Sequence, residues 1–227
     1  MEQRTKIKER NIETLKLVQH YPTVVLADGG FPTGSDALQA LHEAKNIVCC
    51  DGAVTELLRA NLLPTAIVGD MDSLPNELQQ RFANITHRIT EQENNDLTKA
   101  VHFCVAQGMK QITVLGATGK REDHTVGNIS LLAQYAYLAD IQMITNYGVF
   151  VAISKSAELE SFAGQQVSIF TLQPDAKITS QGLKYPLQQR PFTSWWQGTL
   201  NEAESSSFSL QFERGDLLVY RELRGIR

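Results

Sequence analysis

The chain has 227 residues, is 42% hydrophobic and carries a formal net charge of −4 at pH 7. It is long enough to bury a substantial core in one domain or two, and its acidic balance argues against nonspecific nucleic-acid binding. Residues 1–10 are charged without an apolar core and no run of 18 apolar residues follows, so we expect a cytoplasmic protein with no membrane span.

The first two thirds of the chain alternates predicted helices and strands. Spaced apolar residues predict an amphipathic helix within residues 1–20. Apolar runs predict buried strands at 23–27, 46–50, 66–68, 111–115 and 141–145. A weaker pattern predicts a further short strand at 84–90. Helical spacing predicts helices at 35–44, around 57–58, from 75, at 96–107 and at 123–138, with Ser35 and Asp96 at two of the starts. This alternation predicts a mostly parallel sheet covered by helices on both faces.

The pattern changes after residue 146 to short alternating runs broken by Gly, Pro, Ser or Asp. These runs predict strands at 149–153, 157–161, 166–172, 176–180, 206–212 and 216–222. The predicted fold class is therefore α/β plus all-β: a three-layer α/β domain over 1–147, then a small antiparallel β-sandwich over 148–227. Cys49, Cys50 and Cys104 lie in apolar runs without metal-ligand spacing, which predicts buried free thiols.

An acidic turn with Asp70, Asp72 and Ser73 comes directly after the 66–68 strand. Two carboxylates so close together need a partner when they leave water. Carboxylate and hydroxyl oxygens are ligands that Mg²⁺ accepts, and such sites commonly share the ion with substrate phosphates. A solvated acidic turn is the alternative. We predict that this turn holds Mg²⁺ against a nucleotide.

Three other polar stretches follow predicted strands, where ligands bind in open α/β sheets: residues 51–52, 93–96 and 116–124. A plain turn would explain the first and a helix cap the second. The third is a glycine loop beside a helix start, where Lys120 and the bidentate donor Arg121 suit a phosphate. Asp123 either completes the metal shell or caps the helix, and His124 either contacts the nucleotide or packs.

In this order the motifs resemble those of the thiamine pyrophosphokinase (thiamine diphosphokinase) family, over nearly the whole chain from residue 23 onward. The matching segments are DGA at 51–53, GDMDS at 69–73, QENNDLTK at 92–99, GATGKREDH at 116–124, GLKYPL at 182–187 and GTLNE at 198–202. The resemblance implies transfer of the diphosphoryl group of ATP to the hydroxyethyl group of thiamine, giving thiamine diphosphate and AMP. It also implies a homodimer with thiamine bound between subunits.

The resemblance assigns roles to individual residues. Asp70, Asp72 and Asp96 match metal-binding and catalytic carboxylates, Arg121 matches a catalytic phosphate-binding position, and Asp123 matches a further metal position. The implied ATP- and thiamine-binding residues are Asp51, Gly52, Ser73, Gln92, Thr98, Lys99, Gly116, Thr118, Gly119, Lys120, Arg121, His124, Trp195, Trp196 and Asn201. Among them, Gln92 matches a position for the thiamine pyrimidine, and one of the two tryptophans matches the stacking aromatic.

Glu93, Asn95 and Lys120 depart from the family pattern, which often has Asp, Thr and Gly there. Two other functions remain open. An aspartyl-phosphate phosphatase would use Asp70 as nucleophile and Asp72 as acid/base, but it would leave the glycine loop without a role. A non-catalytic nucleotide- or thiamine-binding protein would bind without releasing AMP, and the tryptophans would then stack on a ligand or merely cover the end of the sandwich.

Overall fold

The computed structural model describes residues 14–225 and contains fourteen strands and five α-helices within them. The strands are β1 (Thr14–Leu15), β2 (Thr23–Leu26), β3 (Asn46–Cys50), β4 (Ala66–Gly69), β5 (Thr86–Arg88), β6 (Gln111–Leu115), β7 (Asp140–Ile144), β8 (Gly148–Ile153), β9 (Ala157–Glu160), β10 (Gln166–Thr171), β11 (Thr179–Gln181), β12 (Asn201–Glu202), β13 (Ser207–Gln211) and β14 (Leu217–Glu222). The helices are α1 (Ser35–Glu43), α2 (Val54–Arg59), α3 (Asn76–Arg81), α4 (Asp96–Ala106) and α5 (Glu122–Tyr135). Short 3-10 helices lie at Asp51–Ala53, Ala83–Ile85 and Trp195–Gly198.

Ten strands form one sheet in the order β12-β10-β14-β8-β7-β6-β2-β3-β4-β5. The six strands from β7 to β5 pair in parallel, whereas β8 pairs antiparallel with β7 and begins the antiparallel part. A second sheet has the order β1-β9-β13-β11. The predicted fold class is confirmed. One sheet of the C-terminal sandwich is, however, continuous with the parallel sheet.

Two apolar cores lie on opposite faces of the main sheet. Val24 belongs to one core and Val25 to the other, as the two-residue period of a strand requires. One core lies under α1 and α2 and continues into the space between the two C-terminal sheets, where Phe208 is buried. The other packs against α4 and α5. All three cysteines are buried and free, as predicted.

The helix predicted within residues 1–20 is wrong for the part that the structure describes. Residues 14–15 form β1, which pairs in parallel with β9, and residues 1–13 lie outside the described range. The buried Arg221 guanidinium donates to the carbonyls of Leu15 at 3.2 Å, Lys16 at 3.0 Å and Glu160 at 2.9 Å. These carbonyls are satisfied across the fold and not along a helix.

Several predicted boundaries also change. The N-cap of α1 is Gly34 and not Ser35. Helix α4 is capped by Asn95, whose Oδ1 accepts a hydrogen bond from the Thr98 N–H at 2.9 Å, and Asp96 is therefore its first helical residue. Helix α5 ends at Tyr135, three residues before its predicted end. The strand predicted at 176–180 is β11, shifted toward the C-terminus, and β1 and β12 were not predicted.

The predicted domain boundary at residue 147 falls between β7 and β8, which are hydrogen-bonded neighbours in the main sheet. The division into 1–147 and 148–227 stays a prediction. Over residues 14–225, no helix is both long enough and apolar enough to cross a bilayer.

Candidate active site

A cavity of about 410 Å³ lies beyond the carboxyl ends of β2, β3, β4 and β6. Parallel neighbouring strands bring their following turns to the same edge, so residues far apart in sequence meet there. The lining includes many of the predicted site residues: Asp51, Asp70, Ser73, Gln92, Asp96, Lys99, Thr118, Lys120, Arg121 and His124. The prediction that polar residues after these strands share one site agrees with this geometry.

Three carboxylates converge in this cavity. Asp51 follows β3, Asp70 follows β4 and Asp96 begins α4, and one oxygen of each lies within 4.8 Å of the others. A donor set made only of carboxylate oxygens fits a hard cation such as Mg²⁺. Asp72 and Asp123, which were predicted as ligands, do not belong to this group.

Asp51 and Asp70 have opposite electrostatic environments. Burial raises the pKa of Asp51, and the charges of Asp96 and Asp70 raise it further. The hydrogen bond that Asp51 accepts from the Gly52 N–H at 2.7 Å lowers this pKa but does not cancel the rise. The Asp72 N–H, 3.1 Å from Asp70 Oδ1, lowers the pKa of Asp70. The cluster thus contains one carboxyl group that resists ionisation beside another that is held ionised.

Lys99 supplies positive charge beside the cluster. Its side chain is only 3% exposed, and its Nζ lies 3.1 Å from Asp96 Oδ1. Burial opposes its charge, but the hydrogen bond and charge of Asp96, with the charges of Asp70 and Glu91, raise the pKa of Lys99. A protonated Lys99 therefore offsets part of the repulsion among the carboxylates.

The backbone of the acidic turn separates Asp70 from Asp72. Met71 between them has a φ of +72°, a left-handed conformation that costs a non-glycine residue roughly 1–2 kcal/mol. Its side chain is buried, and its carbonyl accepts from Gln79 Nε2 at 3.1 Å, which holds the turn. Asp70 consequently lines the cavity, whereas Asp72 is exposed and does not.

The glycine loop at 116–121 packs against the turn after β2. The Gly29 and Gly30 N–H groups donate to the carbonyls of Gly116 and Thr118, both at 2.6 Å. A Cβ atom on Gly29 would lie 2.2 Å from the Gly116 carbonyl oxygen, so only glycine permits this approach. Gly119 has a φ of +88°, which also favours glycine. The two turns therefore form one wall of the cavity.

Both cations of this loop are paired with carboxylates. Lys120 Nζ lies 2.9 Å from Asp28 Oδ1, and Arg121 donates to Asp123 at 2.5 and 3.1 Å. The hydrogen bond from Arg121 lowers the pKa of Asp123 to about 2. Asp123 does not occupy the N-cap position of α5, which is Arg121. An anionic ligand would compete with both carboxylates for these cations.

A second cavity, of about 460 Å³, lies near β10 and β12, and Asn201 lines it. The Asn201 side chain bonds both the N–H and the carbonyl of Tyr185, at 3.2 and 2.8 Å, and so shapes this wall. Trp195 packs edge-on against Phe170, and Trp196 is 71% exposed, but neither tryptophan lines the cavity. Since β14, β8 and β7 separate β10 from β6, the predicted residues fall in two distant places on one chain.

Some predicted residues contribute indirectly, and some contributors were not predicted. Thr98 is buried and forms hydrogen bonds with Asn95 and Tyr135. A Cβ atom on Gly52 would lie 2.4 Å from Asp28 Oδ2, so glycine there leaves room for the Asp28 side chain. Gly116 and Gly119 shape the loop without lining the cavity. Asp28 and Asn128 line it without having been predicted, and Asn95, from the predicted stretch 93–96, lines it as well. Asp28 follows β2 as Asp51 follows β3, so the strand-end rule would have identified it.

Comparison with known proteins yields consistent matches. Residues 37–145 match the family model for the thiamin pyrophosphokinase catalytic domain, and residues 148–220 match that for the thiamin pyrophosphokinase substrate-binding domain. Thiamine pyrophosphokinase 1 of Oryza sativa subsp. japonica is 26% identical over 72% of this chain and 64% of its own length. Thiamin pyrophosphokinase 1 of Caenorhabditis elegans is 27% identical over 65% of this chain and 66% of its own. The chain thus spans just under two thirds of both relatives.

The fold has a similar counterpart among solved structures. The crystal structure of thiamin pyrophosphokinase from Geobacillus thermodenitrificans superposes with a TM-score of 0.73 at 26% identity, covering 90% of this chain and 98% of that one. The superposition therefore extends across both the parallel and the antiparallel parts of the main sheet.

Proposed function

The chain belongs to the thiamin pyrophosphokinase family, and on this premise we propose that it transfers the diphosphoryl group of ATP to the hydroxyethyl group of thiamine, giving thiamine diphosphate and AMP. One observation carries the proposal: the three converging carboxylates share a cavity with the Arg121 loop. Diphosphoryl transfer depends mainly on positioning and on neutralising charge, and this cavity offers groups for both.

Asp51, Asp70 and Asp96 would hold Mg²⁺, because their oxygens converge and no other donor type is present among them. Bound there, the ion would neutralise charge on the phosphate oxygens. Asp51 enters this proposed set on geometry, since the family resemblance had implied only a ligand-binding role for it. Asp72 and Asp123, which the sequence predicts as ligands, are not part of this proposed set, because they lie outside the group of converging carboxylates.

The remaining groups bind and orient the substrates. Arg121 and Lys120 exchange their carboxylate partners for phosphate oxygens and stabilise the charge that develops on the departing AMP. The thiamine hydroxyl oxygen forms a bond to the β-phosphorus while the bond from that phosphorus to the α–β bridging oxygen breaks. Asp96, or a carboxylate beside it, orients the hydroxyl and accepts its proton. Gln92, which lines the cavity, orients the thiamine pyrimidine.

A homodimer with thiamine at the subunit interface completes the proposal. The support is a set of exposed apolar side chains in the segments that line the second cavity. Tyr185 lines it and is 60% exposed, and Trp196 and Leu200, which are adjacent in sequence to lining residues, are 71% and 77% exposed. Exposed apolar surface of this kind is typical of an interaction surface. It would bring aromatic rings of one subunit to the ATP site of the other. A cytoplasmic location remains the expectation from sequence.

Incubation of the folded protein with ATP, Mg²⁺ and thiamine tests the function directly, with AMP and thiamine diphosphate as the expected products in equal amounts. Formation of neither would refute the proposal. Asp70→Asn should abolish turnover and leave the thermal unfolding of the metal-free protein nearly unchanged. The family match does not favour a phosphatase, and a phosphorylated Asp70 would restore that alternative. Sedimentation at the assay concentration tests the dimer, which a monomeric, active protein would exclude.

A further inference from the structure

Two asparagine side chains connect the acidic side of the ATP cavity to its glycine loop. Asn95 Nδ2 donates to Asn128 Oδ1 at 3.1 Å, and Asn128 Nδ2 donates to the Ala117 carbonyl at 2.9 Å. Asn95 directly precedes Asp96 of the carboxylate cluster, and Ala117 lies in the loop that carries Arg121. The bridge therefore joins the two parts of the cavity that a polyphosphate has to contact together.

The direction of this hydrogen-bond chain is fixed at both ends. At one end Asn95 Oδ1 accepts from the Thr98 backbone N–H, which can only donate, so Asn95 presents its Nδ2 to Asn128. At the other end the Ala117 carbonyl can only accept, so Asn128 presents its own Nδ2 to the loop. A side chain without an amide nitrogen at position 95 therefore breaks the chain between its ends.

The bridge holds the glycine loop in addition to the hydrogen bonds from the β2 turn. Three consecutive carbonyls of the loop are engaged: those of Gly116 and Thr118 by backbone N–H groups of the β2 turn, and that of Ala117 by Asn128. Asn128 lies on α5, whereas Asn95 caps α4. The loop is thus tied both to the sheet and, through the asparagines, to the helix that begins with Asp96.

We propose that Asn95 and Asn128 form a positioning clamp that sets the separation between the carboxylate cluster and the Arg121 loop. The inference rests on the proposed function, because ATP must span this separation for the transfer. Neither asparagine needs to touch a reacting atom. The clamp holds the loop in place before ATP binds, and a small displacement of a group that positions substrate is enough to slow a reaction of this kind.

Asn95→Ser and Asn128→Ala test the clamp. Serine at 95 keeps an oxygen that can accept from the Thr98 N–H, so the α4 cap survives while the link to Asn128 is lost. Each variant should lower kcat/KM for ATP by about three- to tenfold. The double variant should have a kcat/KM no lower than that of the less active single variant, because the same bridge is broken in all three. Hydrogen exchange of the amides at 116–121 should become faster in ligand-free protein, and KM for thiamine should not change.

Tyr135→Phe is the matched control. It removes the 2.6 Å bond between the Tyr135 hydroxyl and Thr98 Oγ1, which links the same two helices away from the cavity. It should leave both the loop exchange and kcat/KM for ATP unchanged. Unaltered loop exchange in Asn95→Ser, or effects that multiply in the double variant, would overturn the clamp. If the wild-type protein releases no AMP, the proposed function fails, and loop exchange still decides whether the clamp exists.

Discussion

We expect Asp51→Asn to stabilise the metal-free protein while removing its response to Mg²⁺. Asp51 is only 2% exposed, and its ionised form faces the carboxylates of Asp70 and Asp96. Its folded-state pKa lies above the ordinary value of 3.8, because burial and those two charges outweigh the hydrogen bonds that it accepts. The ionised Asp51 carboxylate therefore destabilises the folded state at neutral pH.

The size of that cost follows from the geometry. Two like charges with oxygens up to 4.8 Å apart repel by about 1–3 kcal/mol, depending on the effective dielectric constant. Asp51→Asn removes two such pairs and weakens one acceptor contact, since the Ser73 N–H lies 3.4 Å from Asp51 Oδ2. Lys99 already offsets part of the repulsion, so we expect a net gain of about 2 kcal/mol, or roughly 4–8 °C in Tm for a chain of this length.

Thermal unfolding with EDTA at several pH values measures the effect. Because the folded pKa of Asp51 is raised, its stabilising contribution is complete below pH 3.8 and is lost as the pH rises through the folded pKa. The advantage of the variant should therefore be absent at low pH and present at pH 7. Saturating Mg²⁺ and ATP should raise the Tm of the wild type alone and reverse the order.

A lower Tm for Asp51→Asn in EDTA at pH 7 would refute this reasoning. It would mean that the hydrogen bonds from Gly52 and Ser73 to the carboxylate outweigh the repulsion. An equal response of both proteins to Mg²⁺ would remove Asp51 from the proposed ligand set. Asp123→Asn is the matched control, because its carboxylate pairs with Arg121 on the surface and the same change there relieves no repulsion.

Three further predictions concern charged residues. Lys99→Met should lower the free energy of unfolding of the metal-free protein by about 1–3 kcal/mol, measured with urea in EDTA, because the Asp96 carboxylate loses its buried partner. Asp123→Asn should leave the Mg²⁺ affinity unchanged in calorimetric titration, because Asp123 lies outside the carboxylate group and bonds Arg121. Arg221→Met should lower the free energy of unfolding by about 2–4 kcal/mol in urea, because three backbone carbonyls lose their donor.

Each of these predictions has a result that contradicts it. Unchanged urea unfolding of Lys99→Met would show that solvent already screens Asp96. A loss of Mg²⁺ binding in Asp123→Asn as large as that in Asp70→Asn would make Asp123 a ligand, as the family resemblance implies. Full stability of Arg221→Met would show that water replaces the guanidinium at all three carbonyls.

The parallel sheet could be predicted from local patterns because its strands are buried on both faces. Neighbours such as Val24 and Val25 enter different cores, so both must be apolar, and the run is visible without knowing its partners. The N-terminal segment lacked any such local signal. Its pairing with β9 and its contacts with Arg221, some 206 residues away, depend on the rest of the fold.

The carboxyl ends of strands predicted where the site lies, but not which oxygens meet there. Asp70 and Asp72 look equivalent in sequence, and the left-handed backbone at Met71 between them places only Asp70 in the cavity. Asn128 gave no sequence signal. Its contact with Asn95 depends on how α4 and α5 pack on the sheet, which neither helix specifies alone.

The pairing of β7 with β8 joins the two halves of the chain through one continuous sheet. In a fragment ending at residue 147, β7 would become an open edge strand. Met143 and Ile144, which are buried in the intact chain, would then be uncovered. Such an edge is a template for aggregation. A chimera that takes its C-terminal half from a relative would have to preserve the register of Ile144 opposite Val149. In this protein the C-terminal half can therefore be exchanged only if its pairing with β7 is kept.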